Sequence, residues 1–76
     1  MDRTLLLKFK SYVKNNESYL GKFITKSETI ILVQKWPYLK TFDITHLNKT
    51  GKRIIGTYNN LYPFDCFNII EELMIY

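Results

Sequence analysis

The residues able to do chemistry in this chain are few and of common types. There is one histidine, His46, one cysteine, Cys66, and a run of lysine, arginine and tyrosine between Lys35 and Tyr58. His46, Lys52, Arg53 and Tyr58 are the kinds of side chain with which a small toxin-type ribonuclease positions a phosphodiester and stabilises a phosphorane. Their spacing carries no further mark of catalysis, and His46, close to a turn, reads as a solvated histidine. Cys66 falls on the apolar arc of the last helical segment, as a small core residue does, rather than a reactive thiolate. Metal binding fails on counting: one His and one Cys cannot complete a tetrahedral shell, and no acidic run has calcium-loop spacing. Gly51 and Gly56 are followed by no Lys-Ser/Thr pair, so there is no phosphate loop. The expectation is a protein that is not an enzyme and carries no metal or cofactor.

Binding chemistry is better supplied. Lys35, Trp36, Tyr38 and Lys40 interleave charge with aromatic rings around Pro37, and Lys52, Arg53 and Tyr58 follow on the next hairpin. Lysines neutralise phosphates, and an exposed Trp or Tyr stacks on a base for about 1–3 kcal/mol. For any one of these residues the plainer role is capping a small core or solubilising it. The charge layout favours the binding role. All 11 basic residues lie between Arg3 and Arg53, a block of net +8, while Asp2, Asp65, Glu71 and Glu72 outside it meet no base, and the whole chain is +4. The seven residues are therefore candidate contacts to nucleic acid, as in a regulator of phage or mobile-element type. The alternative is a protein-protein inhibitor that occludes a host or defence enzyme, with charge steering association. A homodimer is left open.

These side chains need a scaffold, and its size is bounded. A chain of 76 residues is expected to be a single domain, 1–76, and such a domain buries only about 60% of its unfolded surface. The single cysteine excludes an internal disulfide and suits a reducing compartment. Leu5-Leu6-Leu7 is interrupted by Lys8, short of a signal peptide's apolar region, and no run approaches a membrane span of ~20 residues. A cytoplasmic protein is expected, inside the host cell if viral, with no membrane partner.

Periodicity places the elements. Leu5, Leu6, Phe9, Tyr12 and Val13 share one arc of a helix over about 3–14, with Asp2 as N-cap; a strand reading of the same segment would make the fold a small β-barrel. Strands are expected over about 19–26, 29–36, 39–47 and 52–58. Ser27-Glu28 turns the first hairpin, Gly51 supports the last, and Gly21 marks a bulge or a close backbone approach. Thr29 to Val33, nearly continuous in apolarity, is a central strand. Pro63 opens a helix over about 63–75, with Cys66, Phe67, Ile70 and Leu73 on its apolar arc. The fold class is α+β: a small antiparallel sheet of three to four strands backed by helices.

Gly51-Lys52-Arg53-Ile54-Ile55-Gly56-Thr57-Tyr58, then Asn59-Asn60 and a helix ending Ile70-Glu71-Glu72-Leu73, resembles the last strand and helix of sheet-first DNA-binding domains in plant transcription factors and phage integrases. Those insert a three-stranded sheet into the major groove. The likeness covers less than half of the chain and departs where those helices carry alanines against the sheet, here Phe67, Ile70 and Leu73. It amounts to no family assignment.

Overall fold

The computed structural model describes residues 2–76. Its elements run α1 (Thr4–Lys14), β1 (Tyr19–Ile24), β2 (Ile30–Lys35), β3 (Phe42–Leu47), β4 (Ile54–Leu61) and α2 (Pro63–Met74). The four strands form one antiparallel sheet in chain order, open at β1 and β4, so the barrel alternative does not hold. Neither helix is long and apolar enough to cross a membrane.

Both helices cover the same face. Leu6 and Phe9 of α1 and Cys66, Phe67, Ile70 and Leu73 of α2 close over Ile31 and Val33 of β2 and Phe42 and Ile44 of β3. Fully burying one such side chain is worth about 1.5–3 kcal/mol, so this layer accounts for most of the driving force. The Phe9 ring meets Tyr19 at 5.6 Å and Phe42 at 4.8 Å between centroids, which seats α1 across β1 and β3. Burial makes the Cys66 thiol inert, pushing its pKa up to about 12.

Local chemistry sets the boundaries. Asp2 does cap α1, its carboxylate accepting from the Thr4 amide at 2.9 Å, although the N-cap position itself is Arg3. The third strand starts at Phe42 rather than Leu39, because Trp36-Pro37-Tyr38-Leu39 folds into a turn. Leu39 N–H donates to the Trp36 carbonyl at 3.3 Å, and Tyr38 takes a φ of 68°. Proline followed by a left-handed residue is the pattern of a type II turn. The first hairpin turns through Glu28, at φ 68°. Gly21 marks a close approach and not a bulge: the Tyr19 ring lies over it, and a side chain there would overlap the phenol. The bulges are in β4, whose register shifts between Phe42 and Ile44 and again between His46 and Leu47.

His46 is not the solvated turn residue expected. It follows Phe42 and Ile44 on the inward pleat of β3 and is 1% exposed. Its Nε2 is hydrogen-bonded with Thr29 Oγ1 at 2.7 Å, Thr29 Oγ1 with Thr25 Oγ1 at 2.5 Å, and the Tyr76 ring meets the imidazole edge-on at 4.9 Å. Burial holds its pKa below the ordinary 6.5, so the fold favours the neutral ring while the unfolded chain protonates normally. The sign follows: His46 adds stability above its unfolded pKa, and that stability is lost as pH falls through the folded value. The urea midpoint of the wild type should drop between about pH 7.5 and about pH 5.5, above the carboxylate range. His46→Gln should flatten that dependence; equal slopes in the two proteins would exclude His46 as its source.

Candidate functional site

The strand register divides the seven predicted contact residues among three places. Lys35 sits on the inward pleat beside Tyr19 and is only 2% exposed. Its Nζ donates to the Glu17 carbonyl at 2.6 Å and the Trp36 carbonyl at 3.1 Å, tying the α1–β1 loop to the end of β2. Burial lowers its pKa and the Glu17 charge partly restores it. Lys35 is a structural cation and not a surface contact. Tyr58 is also withdrawn: it pairs with Ile44 and packs against the core.

Trp36, Tyr38 and Lys40 lie exposed in the β2–β3 loop, with Trp36 at 57% and Tyr38 at 80%. Phe42 pairs with Leu61, so Tyr62 and Phe64, also exposed, emerge at this same end. Lys52 and Arg53 lie exposed at the opposite end, in the β3–β4 loop. Strands of six residues separate the two groups by about 20 Å. The interleaving of lysine with aromatics is thus real in sequence, but the fold does not assemble it into one surface with Lys52 and Arg53.

The β3–β4 loop is ordered by one side chain. Asn48 Oδ1 accepts from the Lys52 amide at 3.1 Å, the Arg53 amide at 3.3 Å and Thr50 Oγ1 at 2.9 Å. The Asn48 amide donates to the Arg53 carbonyl at 2.9 Å, and Gly51 supplies the left-handed φ of 74°. Lys49, Lys52 and Arg53 therefore project from a pre-formed loop. Ile24 pairs with Ile30 and Ile30 with Leu47, which sets the β1–β2 turn with Lys26 at the same end.

The face of the sheet away from the helices is not the basic, aromatic-bearing face expected. Ile24, Ile30, Leu47 and Ile54 pair in succession and form a row across all four strands. The next row is Lys22, Leu32, Thr45 and Thr57, and beyond it lie Leu20, Gln34 and Asp43. Its strand residues thus carry one base, one acid, no aromatic ring and a predominance of aliphatic side chains. The physical reason is parity: the rings of Tyr19, Phe23, Phe42 and Tyr58 take the inward pleat, where the helices bury them. Sequence reasoning passed over this free face. Its one signal was the unbroken apolarity of Thr29 to Val33, which demands cover on both sides of β2.

No family model, curated protein or solved structure matches this chain. The likeness to sheet-first DNA-binding domains gains no support from these comparisons.

Trp36 is the one ring whose exposure is directly measurable. Its emission should be red-shifted and quenched by iodide, and Trp36→Ala should move the thermal midpoint by only a few degrees. A blue-shifted, unquenched emission with a large fall in midpoint would place Trp36 in the core.

Proposed function

We propose that this chain is a non-enzymatic protein-binding module that presents the free face of its sheet to a partner. The row Ile24, Ile30, Leu47 and Ile54 carries this reading. It crosses four strands without helix cover, and a soluble monomer gains nothing from leaving it bare. Strands about 4.8 Å apart and six residues long, eight in β4, make a face about 19 by 20 Å, or roughly 380 Å² before its pleats and side chains are counted. That is about half of the roughly 800 Å² one partner contributes to a standard interface, so the face suits the centre of a contact that its bordering loops complete. An aliphatic face without rings suits the apolar centre of a protein interface better than base stacking. Lys26, Lys49, Lys52 and Arg53 border it at one end and Lys22 stands on its edge strand, a placement of charge that steers an acidic partner into register. Occlusion of a host or defence enzyme is a role this surface suits.

The reading is tested at Ile54, which is 60% exposed and whose loss costs the fold little. Tagged protein should retain a partner from nuclease-treated lysate, and Ile54→Asp should lose it with stability changed by no more than about 0.5 kcal/mol. Release of the partner by nuclease, or its retention by Ile54→Asp, would overturn the reading.

A second reading rests on the loop that Asn48 orders. Pre-formed display of Lys49, Lys52 and Arg53 beside Lys26 suits phosphate contacts, because no loop entropy is lost on binding. Duplex affinity should then fall with salt by about 0.9 log units per contact per decade, and Lys52→Ala with Arg53→Ala should weaken binding and flatten that slope. Absence of duplex binding at about 50 mM salt would remove it.

A further inference from the structure

We propose that the β1 edge accepts an extended acidic segment of a partner protein as a fifth strand. The inference rests on the protein-binding reading above and specifies its mode and the chemistry of the partner.

The two edges of the sheet differ. β4 is bulged twice, and Asn60 there takes a φ of 58° and donates its amide to Asp43 Oδ1 at 3.0 Å. Bulges are a means by which sheets blunt an edge against added strands. β1 has no bulge or proline: Tyr19 to Ile24 pair residue for residue with Lys35 to Ile30, and its one guard is Lys22, a charge that repels a basic strand and not an acidic one.

One hydrogen bond shows which backbone groups are free. The Thr25 amide donates to the Thr29 carbonyl at 2.9 Å, in the position next to the Ile24 and Ile30 pair. Antiparallel pairs alternate between bonded and unbonded, so Phe23, Gly21 and Tyr19 bond to β2. The amides and carbonyls of Leu20, Lys22 and Ile24 then point away from the sheet, and among the described residues no strand lies beyond them. Their side chains are exposed on the free face, Leu20 at 75%. An added strand would continue the ladder and widen that face.

Charge selects the occupant. Lys22 stands between Leu20 and Ile24 and makes no hydrogen bond or ion pair within the described residues. A strand with an acidic residue flanked two positions away by aliphatic ones complements it. A second copy fits worse, since β1 contains no acid and would set Lys22 beside Lys22 or Leu20 of the other chain.

The probes are two ten-residue peptides with threonine at every second position, the positions between alternating valine with glutamate in one peptide and valine with lysine in the other, so that one face presents the charge between aliphatic residues. The glutamate peptide should slow exchange of the Leu20, Lys22 and Ile24 amides at least tenfold and leave β4 unchanged. Lys22→Pro removes one outward amide at an edge position that tolerates proline, and should cost at least tenfold in affinity. Lys22→Ala keeps the amide and should lose less. Lys22→Glu, which does not challenge the backbone, should reverse the preference to the lysine peptide. Protection spread over the free face, an unchanged affinity in folded Lys22→Pro, or no reversal in Lys22→Glu would overturn the proposal. So would a dimer that Lys22→Pro dissociates, which assigns the edge to a second copy. A lysate partner lost by Ile54→Asp yet kept by both Lys22→Pro and Lys22→Glu would leave the free-face reading standing and remove the edge from it.

Discussion

Apolar cover is the scarce quantity in this molecule. A sheet of four strands has two faces, and 76 residues without a disulfide provide two short helices to protect them. Both helices go to one side. Phe9 makes that choice effective, because its fully buried ring touches Tyr19 on β1 and Phe42 on β3 and so spans the β2 strand between them. With α1 seated there and α2 beside it, the inward pleat beneath the helices is filled by apolar and aromatic side chains, with the Tyr19 ring covering Gly21. The opposite face then receives what remains, an aliphatic surface that meets solvent.

The inward pleat outruns the helices at both ends, and there it carries polar residues. Lys35 ends β2 at one end, and His46 stands near the end of β3 at the other. A lysine withdrawn from water is tolerable only if its protons are accepted, and two backbone carbonyls do so. Burial favours the neutral ring of His46, which joins a chain of hydroxyls from Thr29 and Thr25. Each residue holds a loop against the end of the sheet, so the polar interior fastens the connections that apolar packing does not reach.

Most of the architecture was legible in the sequence, and the reason is period. The helical arcs of Leu5 to Val13 and Cys66 to Leu73, the β-prone run at Ile30 and the Pro37 break fixed element types and order. Alternation also held the answer for His46 and Lys35, since Phe42, Ile44 and His46 share one parity, as do Ile31, Val33 and Lys35. What hid it was residue type: lysine and histidine read as surface residues, whereas position in the pleat decides. The turn at Trp36 to Leu39 was harder, because Tyr38 adopts a backbone conformation that favours glycine or asparagine. The candidate site was least legible. Trp36 and Lys52 are near in sequence, but a strand runs between their loops and carries them to opposite ends, which composition alone does not reveal.

Strand order in the sheet equals order in the chain, and this governs how the molecule is assembled in time. Every hairpin closes a short loop, so the sheet forms through contacts of small sequence separation and low closure entropy. The helix contacts are the exception: α1 meets α2 across nearly the whole chain, and Phe9 of α1 meets Phe42 of β3. Until that docking occurs, Phe42 and Ile44 lie bare on one side while Ile30 and Leu47 lie bare on the other. A newly made sheet is thus apolar on both sides, and the face that the helices never cover adds to the surface through which two unfinished chains can adhere.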